Sequence, residues 1–299
     1  MAKLKVLIAI DEPDIAMTIV DTACSILDKH NSEITLLNVD ETTLAEEAYF
    51  YKEPQKFIEH EADKSDFAYI ESFLENGGFD YKGFLYKEGN AAKTIIDISE
   101  IENFDLVILG SHNKHEFERL FLGSVSYKVS RQSKISVMVI KSVLPTKINP
   151  DSEYLVCFAV DGSDYSNYAS ENIGKFLDKG RSKINILYVT KPLQEIIPSE
   201  AYIYIDSPKI MEELNLVAQD ILKEAAVNVL KQRLTINKKD HIEGDPAQII
   251  IEEADNNRCD LIVVGSHGQT GITDWLLGSV SAKIYNYSNI PVLIIKKPD

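Results

Sequence analysis

Short apolar runs rich in Val, Ile and Leu recur along this chain, separated by amphipathic stretches with helical spacing. In the second half, Tyr154–Val160 reads as a buried strand, Tyr165–Leu177 as a helix and Lys183–Val189 as a second strand. A long helix is predicted from about Lys209 to Gln232, a third strand over Leu234–Ile242, and a helix over Pro246–Asp255 with proline in its first turn. Leu261–Val264, Gly278–Tyr287 and Val292–Ile295 then read as strand, helix and strand. The first half follows the same course, with strands predicted at Leu4–Ile10, Ile34–Val39, Phe84–Tyr86, Leu106–Leu109 and Val137–Ile140. Strands that are largely apolar, with helices between them, predict an α/β fold with a parallel sheet covered on both faces; a strand with one wet face would alternate.

The two halves are copies of one plan. Gly110 and Gly265, Gly123 and Gly278, and Gly89 and Gly244 are each 155 positions apart. Nearer the start of each half, Ile10-Asp11 matches Val160-Asp161 and Asn38-Val39 matches Tyr188-Val189, both 150 positions apart. The five extra residues of the second copy therefore lie between these two sets of anchors. Even the aromatic strings Ala48–Tyr51 and Ala201–Tyr204 correspond, at 153. With 299 residues, each copy has roughly 150, large enough to bury a core of its own. The expected division is a first domain over 1–143, a linker over 144–153 carrying Pro145 and Pro150, and a second domain over 154–299. The last strands, Val137–Ile140 and Val292–Ile295, are predicted apolar sheet edges; pairing them would make an internal pseudo-dimer through the fifth strands, and a homodimer of whole chains is left open.

Composition narrows the partners. A net charge of −16 argues against sequence-independent binding to nucleic acid or anionic membranes, both of which demand clustered Lys and Arg. No apolar stretch approaches the ~18 to 20 residues of a membrane span, and no signal peptide is expected, so a cytoplasmic location is the natural reading. The three cysteines, Cys24, Cys157 and Cys259, are widely spaced, with no CxxC or Cys/His ligand pattern, and read as ordinary core thiols in a reducing compartment.

The most informative stretch is Val264-Gly265-Ser266-His267-Gly268, nine residues, then Gly278-Ser279-Val280. It reads as a strand end, a glycine loop and a helix start. Glycine at 265, 268 and 278 allows positive φ and lets backbone N–H groups approach an anion with no Cβ in the way, while the helix N-terminus adds unpaired donors and the positive end of its dipole. No Lys or Arg lies between Gly265 and Gly278, so phosphate charge would fall to backbone donors, the helix and a divalent ion such as Mg2+. Asp274 could hold such an ion, although a solvated loop carboxylate is the plainer reading. His267 is read as a packing or ribose-edge residue rather than a catalyst, since neither it nor His112 and His115 in the first half stands in a recognisable coordination set. Metal ligands are therefore not assigned.

Residues 265 to 279 resemble the Gly-x2-Gly-x9-Gly-Ser/Thr pattern of nucleotide-binding members of the universal stress protein family, and Asn289–Ile295 resembles the usual family ending. The resemblance covers essentially the whole chain, twice. It implies two open five-stranded parallel-sheet domains of strand order 3-2-1-4-5, of the adenine nucleotide alpha hydrolase-like or Rossmann-like kind. ATP or another adenine nucleotide would lie at the strands' carboxyl ends, near the switch between strands 1 and 4, where ligands of open α/β sheets generally bind. Carried over position by position, Asp161 and Val189 resemble the adenine-pocket residues, Gly265 would lie near the ribose, and Gly268, Gly278, Ser279 and Val280 would meet the phosphates, with Ser266 and His267 in the same loop. Asp161 also has a purely structural reading, as a turn or helix-capping carboxylate, and Val189 as core packing. In the first half Asp11, Val39, Gly110, Gly123 and Ser124 keep the pattern, but Asn113 stands where the second glycine belongs and puts a side chain into the phosphate space. Lys114 and Arg119 supply charge that the second loop lacks, so nucleotide in the first domain is an open alternative to a structural pseudo-domain.

The function expected on these grounds is an ATP-binding stress-response or regulatory protein, with nucleotide held mainly by the second domain. There is no GxxxxGK phosphate loop, no GxGxxG fingerprint, no GxSxG elbow and no catalytic residue to name, so at most weak ATP hydrolysis or autophosphorylation is foreseen. A nucleotide-independent interaction scaffold is the third alternative.

Overall fold

Each predicted apolar run is a strand in the computed structural model, which describes residues 3–41, 67–111, 123–141, 149, 152–196, 207–268 and 277–298. The chain divides into two units, 1–147 and 148–299. The first unit runs β1 (Leu4–Ala9), α1 (Pro13–Ile26), β2 (Ser32–Asp40), α2 (Ala68–Asn76), β3 (Asp80–Glu88), α3 (Ala91–Ile101), β4 (Leu106–Ser111), α4 (Ser124–Gln132) and β5 (Ser136–Lys141). Its strands are parallel and lie in the order β3-β2-β1-β4-β5. Val6, Leu7 and Ile8 of β1 and Leu106, Val107 and Ile108 of β4 are fully buried, consecutive residues on opposite faces, as a sheet clad in helices on both sides requires.

The second unit runs β6 (Tyr154–Val160), α5 (Asp164–Asn172), β7 (Ser182–Thr190), the single turn α6 (Leu193–Ile196), α7 (Ser207–Lys231), β8 (Thr235–Glu243), α8 (Pro246–Asn256), β9 (Leu261–Gly265), α9 (Ser279–Tyr287) and β10 (Val292–Ile295). Its order, β8-β7-β6-β9-β10, is again parallel throughout and reproduces 3-2-1-4-5. Chain direction across the sheet reverses between β6 and β9, so the carboxyl ends of those two strands diverge into different connections and leave a crevice.

Two elements differ from the sequence pattern. Phe84–Tyr86 is only the apolar centre of β3, a strand whose flanks are polar because they pair with one neighbour and meet solvent: Asp80 takes Lys3 at 2.8 Å and Lys82 at 2.9 Å. The helix predicted over Tyr165–Leu177 stops at Asn172 and tightens into a 3-10 turn over Ile173–Lys175. The cause is the side chain of Gln232. Its Oε1 accepts from the Gly174 N–H at 2.7 Å and its Nε2 donates to the Ser170 carbonyl at 2.6 Å, the two groups that a continuing α-helix would join to each other. A Cβ at Gly174 would sit 2.9 Å from Gln232 Cβ, so only glycine leaves room for the wedge.

Gln232→Ala should therefore lower stability by about 1–3 kcal/mol in urea titrations, the cost of stranding a donor and an acceptor. A loss below about 0.3 kcal/mol would mean that the Gly174 N–H returns directly to the Ser170 carbonyl and that the wedge contributes nothing.

Candidate functional site

The carboxyl end of β6 turns sharply. Gly162, at φ +75°, makes the turn, and Ser163 caps α5 by accepting the Ser166 N–H on its Oγ at 3.2 Å. Asp161 Oδ1 accepts the Ser163 N–H at 3.0 Å, and the Asp161 N–H donates to Ser166 Oγ at 3.1 Å. Of the two structural roles read for this carboxylate, the turn bond is made by one of its oxygens, while the helix cap is Ser163 and not Asp161. The other oxygen, Oδ2, faces the glycine loop: a Cβ at Gly268 would lie 2.7 Å from it.

The loop leaving β9 is held at both ends. Ser266 donates its N–H to the Ile295 carbonyl at 3.1 Å and accepts from the Gly278 N–H at 2.8 Å, which closes the loop on its own start. Ser281 Oγ, in the first turn of α9, donates to the Gly265 carbonyl at 2.8 Å. A long bond of 3.5 Å from Ser163 Oγ to the His267 carbonyl ties the loop to the β6 turn. His267 packs its ring on Tyr165, centroids 4.7 Å apart, and its Nδ1 lies 3.1 Å from Ser266 Oγ. These contacts orient the imidazole as part of the wall.

The glycines act through space rather than through φ. None of Gly265, Gly268 and Gly278 has a left-handed backbone, which corrects the expectation of positive φ. A Cβ at Gly265 would meet the Tyr165 carbonyl carbon and oxygen at 3.1 Å, and one at Gly278 would meet His267 Cα at 3.1 Å. These are contacts with backbone, which cannot swing aside. Close approach of helix to strand and of loop to loop is what excludes a side chain.

The structure thus brings Asp161, Gly265, Ser266, His267, Gly268 and Gly278 together around the switch point. Val189 follows Tyr188, the register partner of Val160, and so stands level with Asp161. Exposed Ser279 and half-buried Val280 open α9 after its Gly278 cap; the Ala282 N–H is the one that returns to the Gly278 carbonyl. Their own N–H groups precede the first intrahelical bond and point into the N-terminal field of the helix. Ser163, Tyr165 and the pair Tyr188 and His241 were not legible as site residues. The last two stack at 5.5 Å, with His241 Nε2 2.9 Å from Thr190 Oγ1. Burial first, and the Asp161 carboxylate second, push the Tyr188 hydroxyl above the ordinary phenol range, so it stays neutral. Residues 269–276, with Asp274, lie outside the described residues.

The first unit builds the same corner differently. Asp11 is exposed, and α1 starts at Glu12 and Pro13 with no side-chain cap bond. Asn38, the counterpart of Tyr188, donates from Nδ2 to the Ile10 carbonyl at 3.0 Å. Val39 is half-buried, a Cβ at Gly110 would collide with Ile19 Cδ1, and Gly123 caps α4 ahead of exposed Ser124. Asn113, His112, His115, Lys114 and Arg119 lie outside the described residues. Beside this corner Lys141 Nζ donates to Ser111 Oγ at 3.4 Å, and burial pulls its ammonium down to about 8.

Cys157 and Cys259 are buried and Cys24 is half-buried, all as free thiols. Among the described residues, no three His, Cys, Asp or Glu side chains converge to hold a metal, and no helix is long and apolar enough to cross a membrane.

An open, fully parallel five-stranded sheet in each unit defines the class of fold as α/β. Comparison with known proteins names the family. The model of the universal stress protein family matches residues 4–141 and again 155–296, and the chain therefore belongs to that family as a tandem two-domain member. A universal stress protein of Methanocaldococcus jannaschii is 32% identical over 48% of this chain and 82% of its own length. One from Mycolicibacterium smegmatis is 25% identical over 74% of this chain and 71% of its own. In fold, the crystal structure of a universal stress protein from Archaeoglobus fulgidus matches with a TM-score of 0.66 at 20% identity, covering 98% of both chains.

The depressed Lys141 ammonium makes a pH prediction. The folded chain holds fewer protons at this site than the unfolded chain between about pH 8 and the ordinary lysine value of 10.5, so stability gained from this residue should rise with pH across that window. Lys141→Met should be more stable than the natural protein at pH 7 and converge with it above pH 10.5. Equal stability of the two at pH 7 in denaturant titrations would count against a buried charge at this position.

Proposed function

We propose that the second domain binds an adenine nucleotide, ATP in the first instance, and that occupancy of this site is read out as a stress-response or regulatory signal in the cytoplasm. One observation carries the reading: across the β6/β9 switch, Asp161 Oδ2 and Gly268 face each other where the tied loop meets the start of α9. A carboxylate can accept from ribose hydroxyls or the base, and a bare glycine next to helix N–H groups favours phosphate. The Gly265, Gly268 and Gly278-Ser279 spacing, with its resemblance to nucleotide-binding family members, supports the same assignment. The loop charge falls to backbone donors, to the α9 dipole and to Mg2+ brought by the nucleotide.

Occupancy is proposed to be asymmetric. In the first domain Asp11 lacks a counterpart to the Ser163 cap, Asn38 occupies the position of Tyr188, and Asn113 replaces the second loop glycine. Binding rather than turnover is the proposed activity.

Calorimetry of the full chain with ATP and Mg2+ should show one strong site per chain. Gly268→Arg, which fills the space beside Asp161, should weaken that site by at least about tenfold, a loss of about 1.4 kcal/mol, while the urea transition stays cooperative. Asp161→Asn should weaken it less, since the Oδ1 turn bond survives. Unchanged affinity in both variants would remove the assignment, and two equal sites in the natural chain would contradict the asymmetry.

A further inference from the structure

Helix α7 carries two stripes. Ala218, Leu222, Ala225 and Val229, spaced four, three and four, are buried, and the helix packs through this side on β7, β8 and α5. A second stripe with the same spacing faces outward: Glu213, Leu216, Asp220, Lys223, Val227 and Leu230. Leu216 is 56% exposed, Val227 44% and Leu230 56%, on a helix of 25 residues, about 37 Å long. An exposed helix face in an acidic protein is ordinarily filled with Glu and Lys; here large aliphatics stand at its outermost positions. Alternating steps of three and four residues are the spacing of a helix-to-helix seam.

We propose that this stripe is a self-complementary seam on which α7 of a second copy of the chain docks antiparallel. The charges within the stripe select both the partner and its direction. In an antiparallel pair related by a two-fold axis, Leu216 lies opposite the second copy's Val227, and Asp220 opposite the second copy's Lys223, with both contacts repeated by symmetry. Glu212, beside the seam, comes level with the second copy's Lys231. A parallel pair would instead set Asp220 against Asp220 and Lys223 against Lys223 at its centre, which is repulsive. The seam thus accepts a two-fold partner and rejects the same helix in the other direction. Few side chains take part, so the interface falls below the ~800 Å² per partner of a standard complex, and the dimer is weak and reversible. The seam lies on the outward face of α7, whereas Ile221 on another face of the same helix packs against the Gly162 turn of the β6/β9 corner; the dimer does not require nucleotide there.

Sedimentation equilibrium of the full chain over about 10 µM to 1 mM tests the seam at concentrations suited to a weak interface. A monomer–dimer equilibrium is expected. Asp220→Lys alone puts lysine against lysine twice and should weaken the dimer by at least roughly tenfold. Combining it with Lys223→Asp restores opposite charges across the axis and should restore dimerisation. All these positions are exposed, so circular dichroism should report an unchanged fold. A chain that stays monomeric at the highest concentration overturns the proposal. So does a dimer indifferent to Asp220→Lys, which would use another surface, and so does failure of the double swap to recover association.

Discussion

The corner between β6 and β9 depends on backbone approaching backbone more closely than a side chain allows. Gly265 lets the first turn of α5 rest on the end of β9, and Gly278 lets the far end of the loop rest on His267. With those contacts made, the Gly278 N–H reaches the Ser266 carbonyl, the loop closes on itself, and α9 starts with its free N–H groups at the mouth of the crevice. A methyl group at either glycine would push against main chain, and the displacement would pass directly to the helix start that faces the proposed phosphates. Site geometry and local packing are here the same constraint.

The tandem repeat shows what that corner tolerates. Both units keep the strand order, the glycine before each last helix and a buried serine at the carboxyl end of the fourth strand, Ser111 as the last residue of β4 and Ser266 just after β9. They differ in the polar fittings. In the second unit Asp161, Ser163 and Ser166 form a closed set of bonds around the turn, while in the first the helix begins with Glu12 and Pro13 and the Asn38 amide donates to the carbonyl of Ile10, just after β1. Where the second unit stacks Tyr188 on His241, the first sets Asn38 beside Tyr86, whose hydroxyl donates to Asp40 at 3.0 Å. The scaffold is maintained by apolar burial on both sheet faces, which neither set of substitutions touches, so the two corners are free to diverge.

The fold was largely legible in the sequence because its signals are local. Apolar strand runs, the Pro246 helix start and the glycine spacing each survive translation into structure, and the strand order is the same in both repeats. What is not legible there depends on contacts distant in sequence. The stop in α5 comes from Gln232, 58 residues beyond the Gly174 N–H that it accepts, and no window around Tyr165–Leu177 contains that information. Tyr188 and His241 meet only because β7 and β8 are in one particular register. At 265 and 278 the absent bulk makes room for neighbouring backbone and at 268 for the Asp161 carboxylate, and none of these neighbours is contained in the local glycine spacing. The outward stripe of α7 is present in the helical pattern, but two apolar stripes on one helix do not by themselves distinguish the exposed face from the one that packs on the sheet.

Backbone amide chemical shifts of the isotopically labelled full chain, recorded as ATP and Mg2+ are added, test the nucleotide corner most directly. The largest shifts should fall on Asp161, Gly268, Gly278, Ser279 and Val280, with much smaller changes at Asp11, Gly123 and Ser124. Shifts of equal size in the two repeats, or a second-domain corner that stays unmoved while ATP binds elsewhere, would contradict it.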